Sequence, residues 1–158
     1  MTNEKKQEYT LRITQANKSR LVVILYELFF DFIEEAGQAH AAGDKDAYFE
    51  RLDKAQEALS ELILSLNMEV DPAPAIYRVY LFVSASIGRA RGSLKTNCLA
   101  PALDCMKRLY ETYKSDSASD DSAPVMDNSQ KVYAGLTYGK GDLTESMDDG
   151  RGSRGFFA

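Results

Sequence analysis

The residue types that ordinarily carry catalysis are sparse in this chain, and their spacing argues against most enzyme chemistry. His40 is the single histidine. A carboxylate-bridged metal pair in a helical protein needs Glu-x-x-His motifs on facing helices. A Ser/His/Asp or Cys/His set needs a histidine held beside its nucleophile. One histidine next to a predicted helix end serves neither, and its expected role is capping or solvation. Cys98 and Cys105 stand seven residues apart in a predicted helix, hence about 10.5 Å apart along its axis. A disulfide needs Cα atoms within roughly 7 Å, and this spacing with one histidine supports no zinc site. Both cysteines are expected to be reduced, semi-buried thiols. No Gly-rich phosphate loop follows a strand. Arg78, Arg89 and Arg91 could clamp a small anion, but arginines on helix surfaces are usually solvated. The expectation is a protein that is not an enzyme and uses no cofactor and no metal.

The chemistry the sequence does offer is apolar adhesion. Leu21 to Ile33, LVVILYELFFDFI, is the most concentrated apolar run. On a helical wheel its apolar side chains spread over roughly 200°, whereas a surface helix needs a stripe of only about 100°. Such a helix contacts neighbours on several sides or keeps some surface for a partner. Arg20, Glu27, Asp31 and Glu34 fall on the remaining strip. That strip, and a run well short of the roughly 20 residues a bilayer requires, argue against membrane insertion.

Composition narrows the class further. A chain of 158 residues with 44% hydrophobic content can build one cored domain plus an appendage. Its 24 acidic and 19 basic residues give a formal charge of -5, and no dense basic stripe appears, so nucleic acid is not the expected partner. The amino terminus, MTNEKKQEYT, is polar and lacks the apolar centre of a secretory signal. A cytoplasmic location is expected.

Four helices can be placed from periodicity and caps. Asn17 offers an N-cap, so the first helix is predicted from about Lys18 to His40. Asp44 or Asp46 caps a second from about Lys45 to Met68, with Phe49, Leu52, Ala55, Leu59, Leu62, Ile63 and Leu66 on one face. Asp71-Pro72 signals the start of a third, whose core face holds Ile76, Val79, Val83, Ile87, Ala90 and Leu94. Ala85, Gly88 and Gly92 lie nearly opposite. An interior glycine costs about 1 kcal/mol relative to alanine, so either a partner approaches closely at Gly88 or the glycines are neutral surface positions. A fourth helix carries Leu99, Ala102, Met106, Leu109, Tyr110 and Tyr113 and ends near Lys114. Asn97 is a candidate cap, but Pro101 pushes the start a residue or more later.

The ends of the chain read differently. In residues 1–16 Tyr9, Leu11 and Ile13 alternate with polar residues, which puts all three on one face of an extended segment lying along a groove; the competing reading is a frayed terminus. From Ser115 the composition turns to SDSASDDSAP, an acidic segment without apolar period, expected to be a disordered linker. Beyond it Tyr133, Leu136, Tyr138, Phe156 and Phe157 lie among glycines. They suggest a short peptide that sticks to a partner surface rather than a domain, and RGSRG is too brief for an RNA-binding repeat.

The order of these features resembles the flagellin-specific export chaperone family, FliS. The resemblance rests on Leu21, Leu25 and Tyr26 after Ala16-Asn17; on Lys54-Ala55-Gln56, Glu61-Leu62 and Ser65-Leu66-Asn67; on Ile76-Tyr77; and on Leu109 and Tyr113. It covers roughly Tyr9 to Lys114. Three positions depart from it: Lys18 stands where the family usually has proline, Leu28 where it has glycine and Tyr113 where it has tryptophan.

The resemblance implies an all-α fold, an antiparallel four-helix bundle over residues 17–114 with an extended N-terminal arm (1–16); the C-terminal tail (115–158), longer than the family's ending, is expected from its composition to be mostly disordered. It implies a chaperone that holds the C-terminal segment of flagellin in apolar surface grooves, prevents premature polymerisation and aids delivery to the type III export apparatus, with the export gate as a further contact. Partner-binding residues are then expected at Tyr26, Phe30, Leu64, Tyr77, Leu81, Ala85 and Gly88, and groove-covering residues at Tyr9, Leu11 and Ile13. A monomer or weak homo-oligomer is expected. The alternative is a helical adaptor or homo-oligomeric interaction protein without a flagellin client.

Overall fold

The computed structural model describes residues 2–126. They form α1 (Asn3–Thr14), α2 (Lys18–Ala41), α3 (Lys45–Leu64), α4 (Ala73–Ser93), a 3-10 turn (Asn97–Leu99) and α5 (Ala100–Ala118). The described residues contain no strand, so the fold is all-α.

Most boundaries follow from side chains that compete for backbone groups. The Asn17 side-chain Oδ1 accepts from the Arg20 amide at 2.9 Å, and the Asp44 carboxylate accepts from the Ala47 amide at 3.0 Å. Each supplies one partner for the orphan donors of a helix start. α3 stops at Leu64, short of the expected Met68. There the Ser65 hydroxyl donates back to the Leu62 carbonyl at 2.8 Å, and Asn67 accepts from the Glu69 amide at 3.1 Å. Local bonds of this kind offer the chain an alternative to another helical turn. Asp71 does not cap α4. Pro72 occupies the cap position, and its carbonyl accepts from Ala75 and Ile76 at 2.9 and 3.1 Å. α5 begins after the 3-10 turn, which leaves Pro101 in the first turn, where its missing N–H costs little. The turn also separates Cys98 from the helix that carries Cys105; both are free, half-buried thiols.

The two ends of the described chain depart most from expectation. Residues 3–14 are helical and not an extended arm. Thr2 caps this helix through a bond from the Lys5 amide, and Glu4 sits favourably in the first turn. Its packed face is set by Lys5, Tyr9 and Arg12, whose four-and-three spacing is helical. Tyr9 donates to Asp31 at 2.7 Å, Lys5 pairs with Asp31 at 2.8 Å and Arg12 pairs with Glu27 at 2.6 Å. At the other end the acidic segment is not a free linker from Ser115. α5 continues to Ala118, and residues 120–125 fold back on the joint between α1 and α2.

α2 packs most extensively on α3 and also on α5, while α4 packs on both α3 and α5. Cross-links fix antiparallel registers: Glu35 with Arg51 between α2 and α3, Gln56 with Ser84 and Asp53 with Arg91 between α3 and α4, Glu27 with Tyr110 between α2 and α5. The broad apolar arc of α2 is met from all sides. Val23, Ile24, Tyr26, Phe29, Ile33 and Ala36 are buried, and Leu21 and Leu28 pack beside Tyr9, Ala16 and Ile24 under α1. Leu28, bulky where the resembled family is slim, thus forms part of the seat of α1.

At the centre Tyr26 and Tyr80 are fully buried, with hydroxyl oxygens 2.6 Å apart. A buried hydroxyl without a partner costs about 1–3 kcal/mol. Tyr26→Phe is therefore expected to lower unfolding free energy by about 1–2 kcal/mol. The double variant Tyr26→Phe/Tyr80→Phe should cost less than the two singles summed, which denaturant titration of all three proteins checks.

Candidate partner-binding site

The surplus apolar surface lies on α4 and the connection before it, not on α2. Leu81 is 47% exposed, Phe82 40% and Leu64, the last residue of α3, 75%. Met68 and Val70 of the connection are also exposed. At about 100° per residue Tyr77, Leu81, Ala85 and Gly88 fall within an arc of roughly 80°. Tyr77 is half-buried and the other three are exposed. The inner edge of this stripe faces α3, because Ser84 donates to Gln56 at 3.2 Å. In the register set by that bond and by Asp53 with Arg91, the end of α3 at Leu64 comes level with the Tyr77 turn of α4.

A second apolar surface flanks α4 on its other side. Pro72, Ala75, Ile76 and Val79 face Leu109, Thr112, Tyr113 and Asp116 of α5 across an open groove of about 480 Å³. The exposed ridge of α4 therefore separates two apolar surfaces. Phe82, about 100° round from Leu81, stands on the ridge toward α5, with the Arg89 guanidinium 6.0 Å from its ring centre.

Among the described residues nothing packs against Gly88. A Cβ built there finds no atom within 4 Å, so internal packing does not explain the missing side chain. Gly92 is equally open.

The expected site residues thus divide. Tyr77, Leu81, Ala85 and Gly88 come together as one stripe, with Leu64 beside its amino-terminal end. Tyr26 does not join them. It is 0% exposed, ringed by Tyr80, Tyr110 and Tyr113, and burial raises its hydroxyl pKa far above the ordinary range. It is a core residue that stays protonated. Phe30 is half-buried, edge-on to Tyr110 at 5.8 Å, and belongs to the α2–α5 contact. Of the covering residues, Tyr9 is buried and Ile13 packs beside it; burial, then the Asp31 bond, pushes the Tyr9 hydroxyl pKa up. Leu11 is half-buried and lies outside that cluster. α1 covers Leu21, Ile24 and Leu28 of α2 together with the Glu27 and Asp31 part of its charged strip.

Sequence reasoning missed Phe82, Met68, Val70 and the groove beside α5. Ile76 and Val79 read as core by period, yet both remain half-exposed on the groove wall. His40 does act as a cap, but for a distant helix. Its Nε2–H donates to the Leu94 carbonyl at 2.8 Å, where Leu94 ends α4 with a left-handed φ of 54°. Among the described residues no group of three His, Cys, Asp or Glu side chains could hold a metal ion. No helix among them is long and apolar enough to cross a membrane. The aromatic residues Tyr133, Leu136, Tyr138, Phe156 and Phe157 lie outside the described residues.

The described residues form an all-helical body with an uncovered apolar ridge and adjoining grooves, surfaces of the kind that helical interaction proteins use. Residues 1–120 match the family described as Flagellar protein FliS, and the chain belongs to this family of flagellar export chaperones. The match takes in all five helices. No curated protein matches the chain.

The open space at Gly88 has a consequence for stability. Gly88→Ala adds a methyl group to an exposed helix interior without a clash, so it should raise unfolding free energy by about 0.5–1 kcal/mol. Thermal and denaturant unfolding measure this directly.

Proposed function

We propose that the protein binds the C-terminal segment of flagellin on the apolar surfaces flanking α4, keeps it from polymerising in the cytoplasm and presents it to the flagellar type III export apparatus. Helices α2 to α5 form the chaperone domain in this reading, a four-helix body with α1 as an accessory cover. The observation that carries it is the exposed stripe Tyr77, Leu81, Ala85 and Gly88, with Leu64 beside it, in a chain of the flagellar chaperone family. An amphipathic client helix lays its apolar side along such a surface, the helix-in-groove mode. A client that orders on binding offsets part of the contact energy with lost entropy, so a long contact can remain releasable. Handover then needs no nucleotide. Residues of the groove beside α5, chiefly Ile76, Val79 and Leu109, extend the contact.

Co-purification tests the client. Full-length flagellin should form a stoichiometric complex, and flagellin lacking its C-terminal segment should not; equal retention of both removes the reading. Within the complex Leu81→Asp should weaken affinity at least about tenfold while leaving unfolding free energy within about 0.5 kcal/mol. Gly88→Leu should also weaken binding, since it fills the one point on the stripe where a client backbone can approach closely. Sedimentation separates the adaptor reading, because Leu64, Met68 and Val70 could instead be covered by a second copy. A concentration-independent oligomer indifferent to flagellin would favour it.

A further inference from the structure

The short connection between α1 and α2, residues 15–17, is gripped by a segment from the far end of the described chain. After α5 the backbone turns back, and residues 120–125 lie across this joint. Asn17, 1% exposed, bonds in two directions at once. Its Oδ1 caps α2, and its Nδ2 donates to the carbonyls of Asp120 at 2.9 Å and Ser122 at 3.4 Å. The Ser19 hydroxyl donates to the Asp120 carboxylate, and the Ser122 amide donates to the same carboxylate at 3.0 Å. The Val125 amide donates to the Ala16 carbonyl at 3.0 Å. Ser117, in the last turns of α5, is buried.

We propose that residues 120–125 act as a latch on the α1–α2 joint, so that α1 leaves its seat on α2 only when the latch lets go.

The geometry makes the coupling direct. α1 has one buried residue, Tyr9, and its described hydrogen bond and ion pairs to α2 go to Asp31 and Glu27. A helix seated this thinly belongs to the low-stability part of a fold. To swing away it must change backbone angles at residues 15–17. The Ala16 carbonyl and the Asn17 amide group are both engaged by the strap, so that motion breaks strap bonds. By linkage, whatever draws the chain beyond Met126 away from Ala16 loosens α1, and whatever displaces α1 loosens the strap by the same factor. The latch itself is independent of any client. Its consequence, that a pull on the C-terminal part of the chain opens the α2 surface under α1 as a further contact for flagellin beyond those flanking α4, rests on the flagellin client proposed above.

Hydrogen exchange on the full chain tests it with two variants. Asn17→Asp keeps the cap acceptor for α2 but replaces the amide donor with an oxygen facing two carbonyls. Ser19→Ala is milder and removes only the hydroxyl bond to Asp120. In the unaltered protein the Val125 amide should be protected. In the variants that protection should fall, and the amides of α1 from Tyr9 to Thr14 should exchange roughly five- to tenfold faster, with α3 amides such as Leu52 and Leu59 unchanged. The latch is overturned by an unprotected Val125 amide in the unaltered protein, or by loss of its protection in Ser19→Ala with α1 exchange unaltered. Should Asn17→Asp loosen α3 as well, Ser19→Ala decides alone. Flagellin association is then measured separately. A severalfold faster on-rate in the latch variants extends the coupling to the client; loosened α1 with an unaltered on-rate leaves the latch standing and counts against α1 as a client cover.

Discussion

The fold depends on giving α2 enough neighbours. A helix with apolar side chains around more than half its circumference cannot be satisfied by one partner, since each facing helix covers only part of that arc. α3, α5 and α1 approach α2 from different directions, and α4 closes the far side against α3 and α5. Burial of large side chains, at about 1.5–3 kcal/mol each, supplies most of the driving force. The tyrosines at the centre add a constraint that leucines would not. Tyr26 can be buried only if its hydroxyl finds Tyr80, 54 residues away in the chain. That pairing sets how α4 is rotated against α2. With α4 turned so that Tyr80, Val83, Ile87 and Ala90 face inward, Leu81, Ala85 and Gly88 must face outward. The uncovered stripe is therefore a consequence of how the core is satisfied.

Much of this architecture is legible in the residues. Asn17 and Asp44 mark helix starts because a side-chain oxygen at that position accepts from an amide that otherwise has no partner. The period of Leu52, Ala55, Leu59 and Leu62 marks the buried face of α3. What escapes is structure held by polar contacts from a distance. α1 has too few apolar residues for a hydrophobic period, and its helical face becomes visible only when Lys5, Tyr9 and Arg12 are set against Asp31 and Glu27. The segment after Ala118 has no period at all. It is placed by backbone and amide bonds to Ala16 and Asn17, about a hundred residues earlier, and composition carries no trace of such partners.

The exposed stripe is legible to the same partial degree. Small and apolar residues at three-and-four spacing off the core face of α4 identify the stripe, because a helix can bury only one side against two neighbours. Tyr26 is misleading from sequence alone. A tyrosine on an apolar arc is equally suited to a wet groove, where its hydroxyl meets water, or to a core, where it must meet another side chain. Only the position of Tyr80 decides between them. The groove walls Ile76 and Val79 are in the core period but near the start of α4, where the groove toward α5 leaves them half-exposed.

The seat of α1 has the energetics of a displaceable cover. Its two ion pairs are partly exposed, with side-chain exposures of 43% and 38% for Lys5 and Arg12, and pairs of this kind contribute about 0–1 kcal/mol each. Burial of Tyr9 with part of Ile13 adds about 1.5–3 kcal/mol, against the entropy of holding a short helix in place. Lifting α1 from α2 therefore costs little beside unfolding the core around Tyr26. Strap bonds at Ala16 and Asn17 raise that cost without adding to the interface itself, so a change at the end of α5 can tune access to α2 while the core around Tyr26 stays as it is.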